Sequence, residues 1–348
     1  GFAISVCTDQ KIGNKIATSG DDAVGGAVFQ GWMGDIVNDL ATNVFPTWDS
    51  PASVGVAGVI GGRHVNAHGL EPNQAFTKGL IGAMCLDQIT NKYTQPAYIS
   101  GQANDPSALA DGDNDTDMEH KWDEGFGYLF GMDVTANLDN WSSAAGAQGD
   151  VLLLKYAHKI GADVVEDLYD LFIEGRHAIV IGDYDARDAA AIEIKEILDG
   201  VVMQKSVDYL RGGAQGLTDA MNCVEDDAGA AALAQQWDPN FSGGCAEAVP
   251  YFINAGYPCD TDLSSMGMMG TIADMCGCSC NYDAAWADIF HDLSEGYGFV
   301  LSLQFTDAFT HDDVASMKAI LDNDGGNGFW DIDPAALTEM ADMIEAAM

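Results

Sequence analysis

Apolar residues recur at helical rather than alternating intervals along most of the chain. Over residues 23–44, Val24, Val28, Met33, Ile36, Val37 and Leu40 fall largely on one side of a helix, and Pro46 closes the segment. Residues 72–93 repeat the pattern with Phe76, Leu80, Met84 and Ile89, led by Pro72 in the first turn. The same period predicts helices over 117–131, 150–174, 185–211, 228–236, 283–305, 311–322 and 334–347. Strand signals are few, and the Gly- and Val-rich stretch 53–61 is the one that reads as β. The Asp-rich segment 94–116 and the Cys- and Gly-rich segment 213–282 read as surface loops. The expected fold is all-α: two pseudo-repeated antiparallel helical bundles with a disulfide-rich loop insertion. A single helical domain over 1–348 would hold halves at about 20–140 and 150–310, a Cys-rich excursion at 213–282 and closing helices at 311–348.

A repeat lies inside these helices. His120-Lys-Trp-Asp-Glu124-Gly-Phe-Gly-Tyr128 recurs as His291-Asp-Leu-Ser-Glu295-Gly-Tyr-Gly-Phe299, keeping His, Glu, both glycines and both aromatic positions. Residues four apart share a helical face one turn apart, so each pair offers one nitrogen and one carboxylate to an ion. Two ligands seldom hold a metal. Helices facing each other across a pseudo-twofold would supply four, His120, Glu124, His291 and Glu295, backed by Asp123 or Glu119, a set that suits iron, zinc or manganese. The competing reading makes each pair a buried hydrogen-bonded couple, with the glycines permitting close helix packing.

Three weaker constellations accompany the repeat. His64, His68 and Glu71 offer a second metal set, although Gly61, Gly62 and Gly69 argue against a regular helix there. Asp111, Asp113, Asp115 and Asp117, with Glu124 at the twelfth position counted from Asp113, resemble a calcium loop, but Met118 stands where an EF-hand requires glycine. Asp322-Asn-Asp324-Gly-Gly-Asn has a similar look, and the favoured reading of both stretches is an Asp- and Gly-rich turn followed by an N-capped helix. Arg176 and Arg187, each close to acidic neighbours, read with Lys78 as internal ion pairs.

Composition narrows the partners. Fifty-four acidic residues against 14 Lys plus Arg give a net charge of −40, which excludes nucleic acid and repels an anionic membrane face. At 348 residues and 47% hydrophobic the chain can bury a sizeable core. Eight cysteines include six crowded between Cys223 and Cys280: Cys223, Cys245, Cys259, Cys276, Cys278 and Cys280. Their spacing lacks the Cys-x-x-Cys pairs of zinc and iron–sulfur sites, so disulfides in an oxidising compartment are expected, with connectivity open. No 18-residue apolar stretch exists. The opening Gly1, without a leader pattern, is expected of a mature exported chain. Hydrolase and nucleotide-binding signatures are absent.

Several segments together resemble a bacterial and algal domain of unknown function related in style to the imelysin group of iron-regulated surface proteins. They are Glu71-Pro-Asn-Gln-Ala-Phe-Thr-Lys78-Gly-Leu-Ile-Gly-Ala with Asp87-Gln88, the His120 motif, Glu174-Gly-Arg176 with Asp183-Tyr, and Ser294-Glu-Gly-Tyr-Gly-Phe-Val-Leu-Ser-Leu-Gln-Phe305. The resemblance covers about residues 70–306 and implies an α-helical, exported protein with a place in metal or iron acquisition. The imelysin Gly-x-His-x-x-Glu motif is not found here, so no imelysin site residue carries over. The cysteine-rich stretch lies outside the pattern.

The leading expectation is therefore a secreted or periplasmic, or cell-surface, metal-binding protein without catalytic turnover, iron favoured over zinc. The alternative is an extracellular structural or assembly protein, forming homo-oligomers, whose acidic loops calcium stiffens. A metallohydrolase ranks third.

Overall fold

Helical spacing in the sequence becomes helix almost wherever it occurs. A computed structural model of the chain describes residues 12–19, 23–109, 114–131 and 152–348. Helix α1 (Ala23–Asp39) continues into a π-helical turn (Leu40–Val44) before Pro46 ends it. A short antiparallel hairpin follows, β1 (Gly58–Ile60) with β2 (Arg63–Val65), pairing Val59 with His64. The sequence pointed to the first strand only. The turn between them needs Gly61 and Gly62 at φ 51° and 84°, a left-handed geometry that favours glycine.

Helix α2 (Pro72–Leu80) passes into two π-helical stretches, Ile81–Leu86 and Ile89–Tyr93, and α3 (Pro96–Ile99) closes that run. Helix α4 (Asp117–Phe130) carries the first motif, and Thr116 and Glu119 form its capping box. The expected helix over 150–174 is two, α5 (Leu152–Ile160) and α6 (Ala162–Ile181), divided at Gly161, whose extended backbone interrupts the first and starts the second. The spine is α7 (Tyr184–Met221), roughly 57 Å long at 1.5 Å per residue.

Because α7 runs on to Met221, the stretch from 213 begins as helix rather than loop. The rest of the excursion is also largely ordered: α8 (Asp227–Ala234), α9 (Cys245–Asn254), α10 (Ile272–Met275) and α11 (Gly277–Cys280) enclose a small core of Leu233, Val249, Phe252, Leu263 and Ile272. Disulfides Cys223–Cys278, Cys245–Cys276 and Cys259–Cys280 brace it. In the chain-entropy picture each contributes about 3–4 kcal/mol. Cys85 is free and buried, and burial pushes its thiol up to about 12. Cys7 lies outside the described residues. Among those residues no helix is long and apolar enough to cross a membrane.

Helix α12 (Tyr282–Ser302) carries the second motif, and its residues from Leu293 to Ser302 are buried all round. It packs against α2 and α7, and α13 (His311–Asp322) covers it; α14 (Pro334–Glu345) covers the other side of α7. Gly298 makes the α2 contact possible, because a Cβ there would stand 2.5 Å from Lys78 Cβ and 2.6 Å from the Ala75 carbonyl. The matching glycine of the first motif, Gly127, has nothing within 4 Å of its would-be Cβ. The two positions should therefore respond oppositely. Gly298→Ala is expected to destabilise by about 1–3 kcal/mol through overpacking. Gly127→Ala should stabilise by about 0.5–1 kcal/mol through helix propensity. Denaturant midpoints measure both, and equal shifts of the same sign would refute the asymmetry.

Candidate functional site

The buried motif on α12 sits at the meeting point of four elements. His291 Nδ1 lies 2.9 Å from Glu71 Oε2 and 2.7 Å from an Arg63 nitrogen, while its Nε2 faces Glu295 Oε1 at 3.5 Å. The hairpin supplies Arg63, and the start of α2 supplies Glu71, whose backbone N–H donates to Ser294 Oγ at 2.8 Å. Glu295, 7% exposed, is bound by Lys78 Nζ at 2.9 Å, and Tyr209 of α7 donates a hydrogen bond to it. Tyr156 of α5 accepts from Lys78, and the ammonium also lies 5.7 Å from that ring's centre.

Burial pushes the Glu295 carboxyl up, but hydrogen bonds from Tyr209 and Lys78, with the charges of Lys78 and His291, outweigh it and hold the group below its ordinary value. Burial likewise works against the charged Lys78, yet Tyr156 and Glu295 raise it overall. Pair and hydrogen bonds together keep both groups ionised.

The motif on α4 has the same local plan in an open setting. His120 Nε2 is 3.1 Å from Glu124 Oε1, and Asp115 Oδ2 lies 3.7 Å from Nδ1. Lys121 Nζ reaches Glu124 at 2.6 Å, and Tyr93 donates to the same carboxylate. Burial of Glu124 is again outweighed, here by Lys121, Tyr93 and the nearby His120, so its carboxyl is also held low. The difference is exposure: the His120 side chain is 57% exposed and that of His291 24%. Beneath the motif, Trp122 is buried and donates Nε1–H to the Phe172 carbonyl at 2.9 Å.

The structure makes two stations of the four proposed ligands rather than one. Helix α4 packs on the π-helical stretch 89–93 and on α6, whereas α12 packs on α2 and α7. Among the described residues a single trio of ligand atoms lies within 4.8 Å of one another, Glu225, Asp227 and Cys245. That trio is poorly suited to an ion: Cys245 is bonded to Cys276, Asp227 accepts the Cys245 N–H and Glu225 accepts Ser279. Asp123 and Glu119 face Arg176, at 3.0 and 2.6 Å, rather than the histidine. Arg187 pairs with Asp188 at 2.6 Å, so the ion-pair reading of the scarce basic residues holds for Arg176, Arg187 and Lys78.

The weaker constellations separate. His64 stacks on Trp48 at 3.4 Å, His68 lines a cavity of about 130 Å³ with Asp322 and Asp324, and Glu71 turns to His291. Asp111 and Asp113 lie outside the described residues. Asp117 occupies the first turn of α4, and only Asp115 of that run reaches the motif. Asp322 already holds Tyr297 and Lys318.

Glu71, Arg63, Lys78, Tyr93 and Tyr209 were not assigned to the motifs from sequence. Their partners lie far away along the chain, Glu71 and His291 being 220 residues apart, and no local spacing records such a pairing.

A family model described as "Domain of unknown function (DUF4856)" matches residues 5–232 and 274–348, and the chain belongs to that family. No curated protein and no solved structure matches the chain. Both motifs lie within the matched region, while residues 233–273 of the excursion lie outside it.

Glu295→Gln tests the buried network. Leaving Lys78 unpaired should cost about 3 kcal/mol. Because the folded carboxyl is held below its ordinary 4.5, its contribution is full above that pH and disappears as pH falls through the folded value. The variant should therefore lose stability at neutral pH and show a shallower fall on acidification. Parallel stability–pH curves for both proteins would contradict this.

Proposed function

We propose that the protein is an exported metal-binding protein without catalytic turnover, and that its ion station is the exposed first motif. The observation that carries this reading is the shared plan of the two stations. In each, one carboxylate stands beside Nδ1 of the imidazole, while the motif glutamate faces Nε2 one helical turn away. A carboxylate hydrogen-bonded to one ring nitrogen orients a histidine whose other nitrogen binds metal; Glu71 stands at that distance, 2.9 Å, and Asp115 at 3.7 Å would close to it on a small side-chain movement. The 3.1 Å between His120 Nε2 and Glu124 Oε1 suits two neighbouring ligands at bonds of about 2.0–2.2 Å.

A lysine takes the cation's place at both glutamates, and this decides between the stations. Lys121 is part-exposed, at 27%, and an arriving ion can displace it. Lys78 is enclosed and held by Tyr156, so the second station serves as a structural lock. His120 and Glu124 would hold an ion loosely, with water filling its other positions, and one nitrogen among oxygens suits a first-row transition ion. The resemblance to the imelysin group favours iron over zinc. Three disulfides support an oxidising location outside the cytoplasm, secreted, periplasmic or on the cell surface. A calcium role for the acidic run ending at Asp117 is the second reading, favoured by Asp115 standing beside the motif.

Calorimetric titration with Zn²⁺ and, anaerobically, Fe²⁺ tests the proposal. His120→Ala and Glu124→Gln should each weaken binding at least tenfold, whereas His291→Ala should leave the stoichiometry unchanged. Affinity should rise with pH, since the ion displaces a proton from the imidazole. Wild-type binding in His120→Ala would overturn the assignment.

A further inference from the structure

Two hollows meet where the excursion joins the main body. The larger, of about 650 Å³, lies between the end of α7 and the start of α12. Gly212 and Gly216 line one side, Trp286 and Ile289 the other, and the Cys223–Cys278 disulfide closes one end. The second, of about 530 Å³, is bounded by Val249, Pro250 and Ile253 of α9. Tyr282 lines both, so the two lie side by side and make a two-part trough. The glycines let α7 approach α12 closely along this wall: a Cβ at Gly216 would stand 2.7 Å from Ile289, and one at Gly212 3.0 Å from Asp292. Apolar surface is exposed along it, Tyr282 at 46% and Ile253 at 53%.

The charge in the trough has one sign. Asp219, Asp288 and Asp292 line the larger hollow and Asp283 the smaller, and no Lys or Arg lines either. Asp292 is half-buried and receives no hydrogen bond from the described residues. Burial first, then the charges of Glu295 and Asp288, pushes its carboxyl up, whereas His291 and Arg63 act the other way. An incoming cation would relieve that cost. Carboxylates next to Trp286 and Tyr282 provide both halves of a site for an organic cation, charge pairing and a ring face.

We propose that this trough docks an extended segment of a partner protein in which Arg or Lys alternates with apolar residues. Basic side chains would reach Asp288 and Asp292 beside Trp286, while apolar ones would cover Val249, Pro250 and Ile253. Two adjoining hollows with acidic and apolar linings suit a peptide better than a single small cation. A second copy of the chain is disfavoured, because two bodies each of net charge −40 repel. Val249, Pro250 and Ile253 fall in the stretch that the family model does not match, whereas Trp286, Asp288 and Asp292 lie within the matched region.

Fluorescence anisotropy with a labelled, end-capped eight-residue peptide of alternating Leu and Arg tests the proposal at 0.15 M salt, where long-range attraction is screened. Saturable binding is expected, at least tenfold weaker in Asp288→Asn/Asp292→Asn. Ala285→Arg, which sets a cation in the trough, should abolish it. The control Glu166→Gln/Asp167→Asn removes the same charge from exposed positions on α6 and should change binding less than twofold. Unaltered thermal midpoints in all three variants keep the comparison one of docking. Equal weakening by the control, equal binding of a Leu–Gln peptide, or binding of maltohexaose with none of the peptide would overturn the proposal.

Discussion

The buried contact between Lys78 and Glu295 is the constraint on which the surrounding structure depends. A carboxylate removed from water is stable only if cations and hydrogen-bond donors reach it. In a chain with so few basic residues, placing one of them inside is a strong commitment. Lys78 reaches Glu295 because Gly298 brings α2 into contact with α12. Tyr156 and Tyr209 reach the same pair from α5 and α7. Four helices thus converge on one neutralised charge. His291 extends the network to Glu71 and Arg63, which ties the β-hairpin to the same centre.

The repeated motif has two settings that differ in one physical variable, access to water. At α4 the imidazole is largely exposed, and its glutamate and lysine are part-exposed. At α12 the same residue types are enclosed and each has a fixed partner. An ammonium beside a carboxylate is the ground state that an ion must displace, and displacement is far easier at the surface than in the interior. One sequence pattern can therefore hold a fold together in one place and leave a ligand position open in another.

Local features of the fold were legible in the sequence, because helical periodicity, caps and helix-ending prolines act over a few residues. The segments around Phe76, Trp122 and Leu293 follow from spacing alone. Gly161 was harder: a single glycine inside an apolar run gives no sign that it will divide α5 from α6. The order within the cysteine-rich stretch was hidden for another reason, since its small core closes only once three crosslinks join distant residues. Disulfide partners were unreadable because six cysteines permit many pairings. At the motifs, periodicity placed His and Glu on one face. At the second motif, which cation or carboxylate meets them depends on contacts across some two hundred residues, and so Glu71 groups in sequence with His64 and His68 instead of His291.

The crosslinks of the excursion interlace. Cys276, Cys278 and Cys280 lie within five residues just ahead of α12, and each is joined to a different upstream cysteine. A peptide bond cut between Cys245 and Cys259, or between Cys259 and Cys276, would still leave both new ends attached to the body. In an environment rich in proteases the excursion would thus survive nicking as a single covalent object and separate only on reduction. The Cys223–Cys278 bond also ties the end of α7 to the segment just ahead of the helix that bears His291, so the two stems of the excursion cannot part.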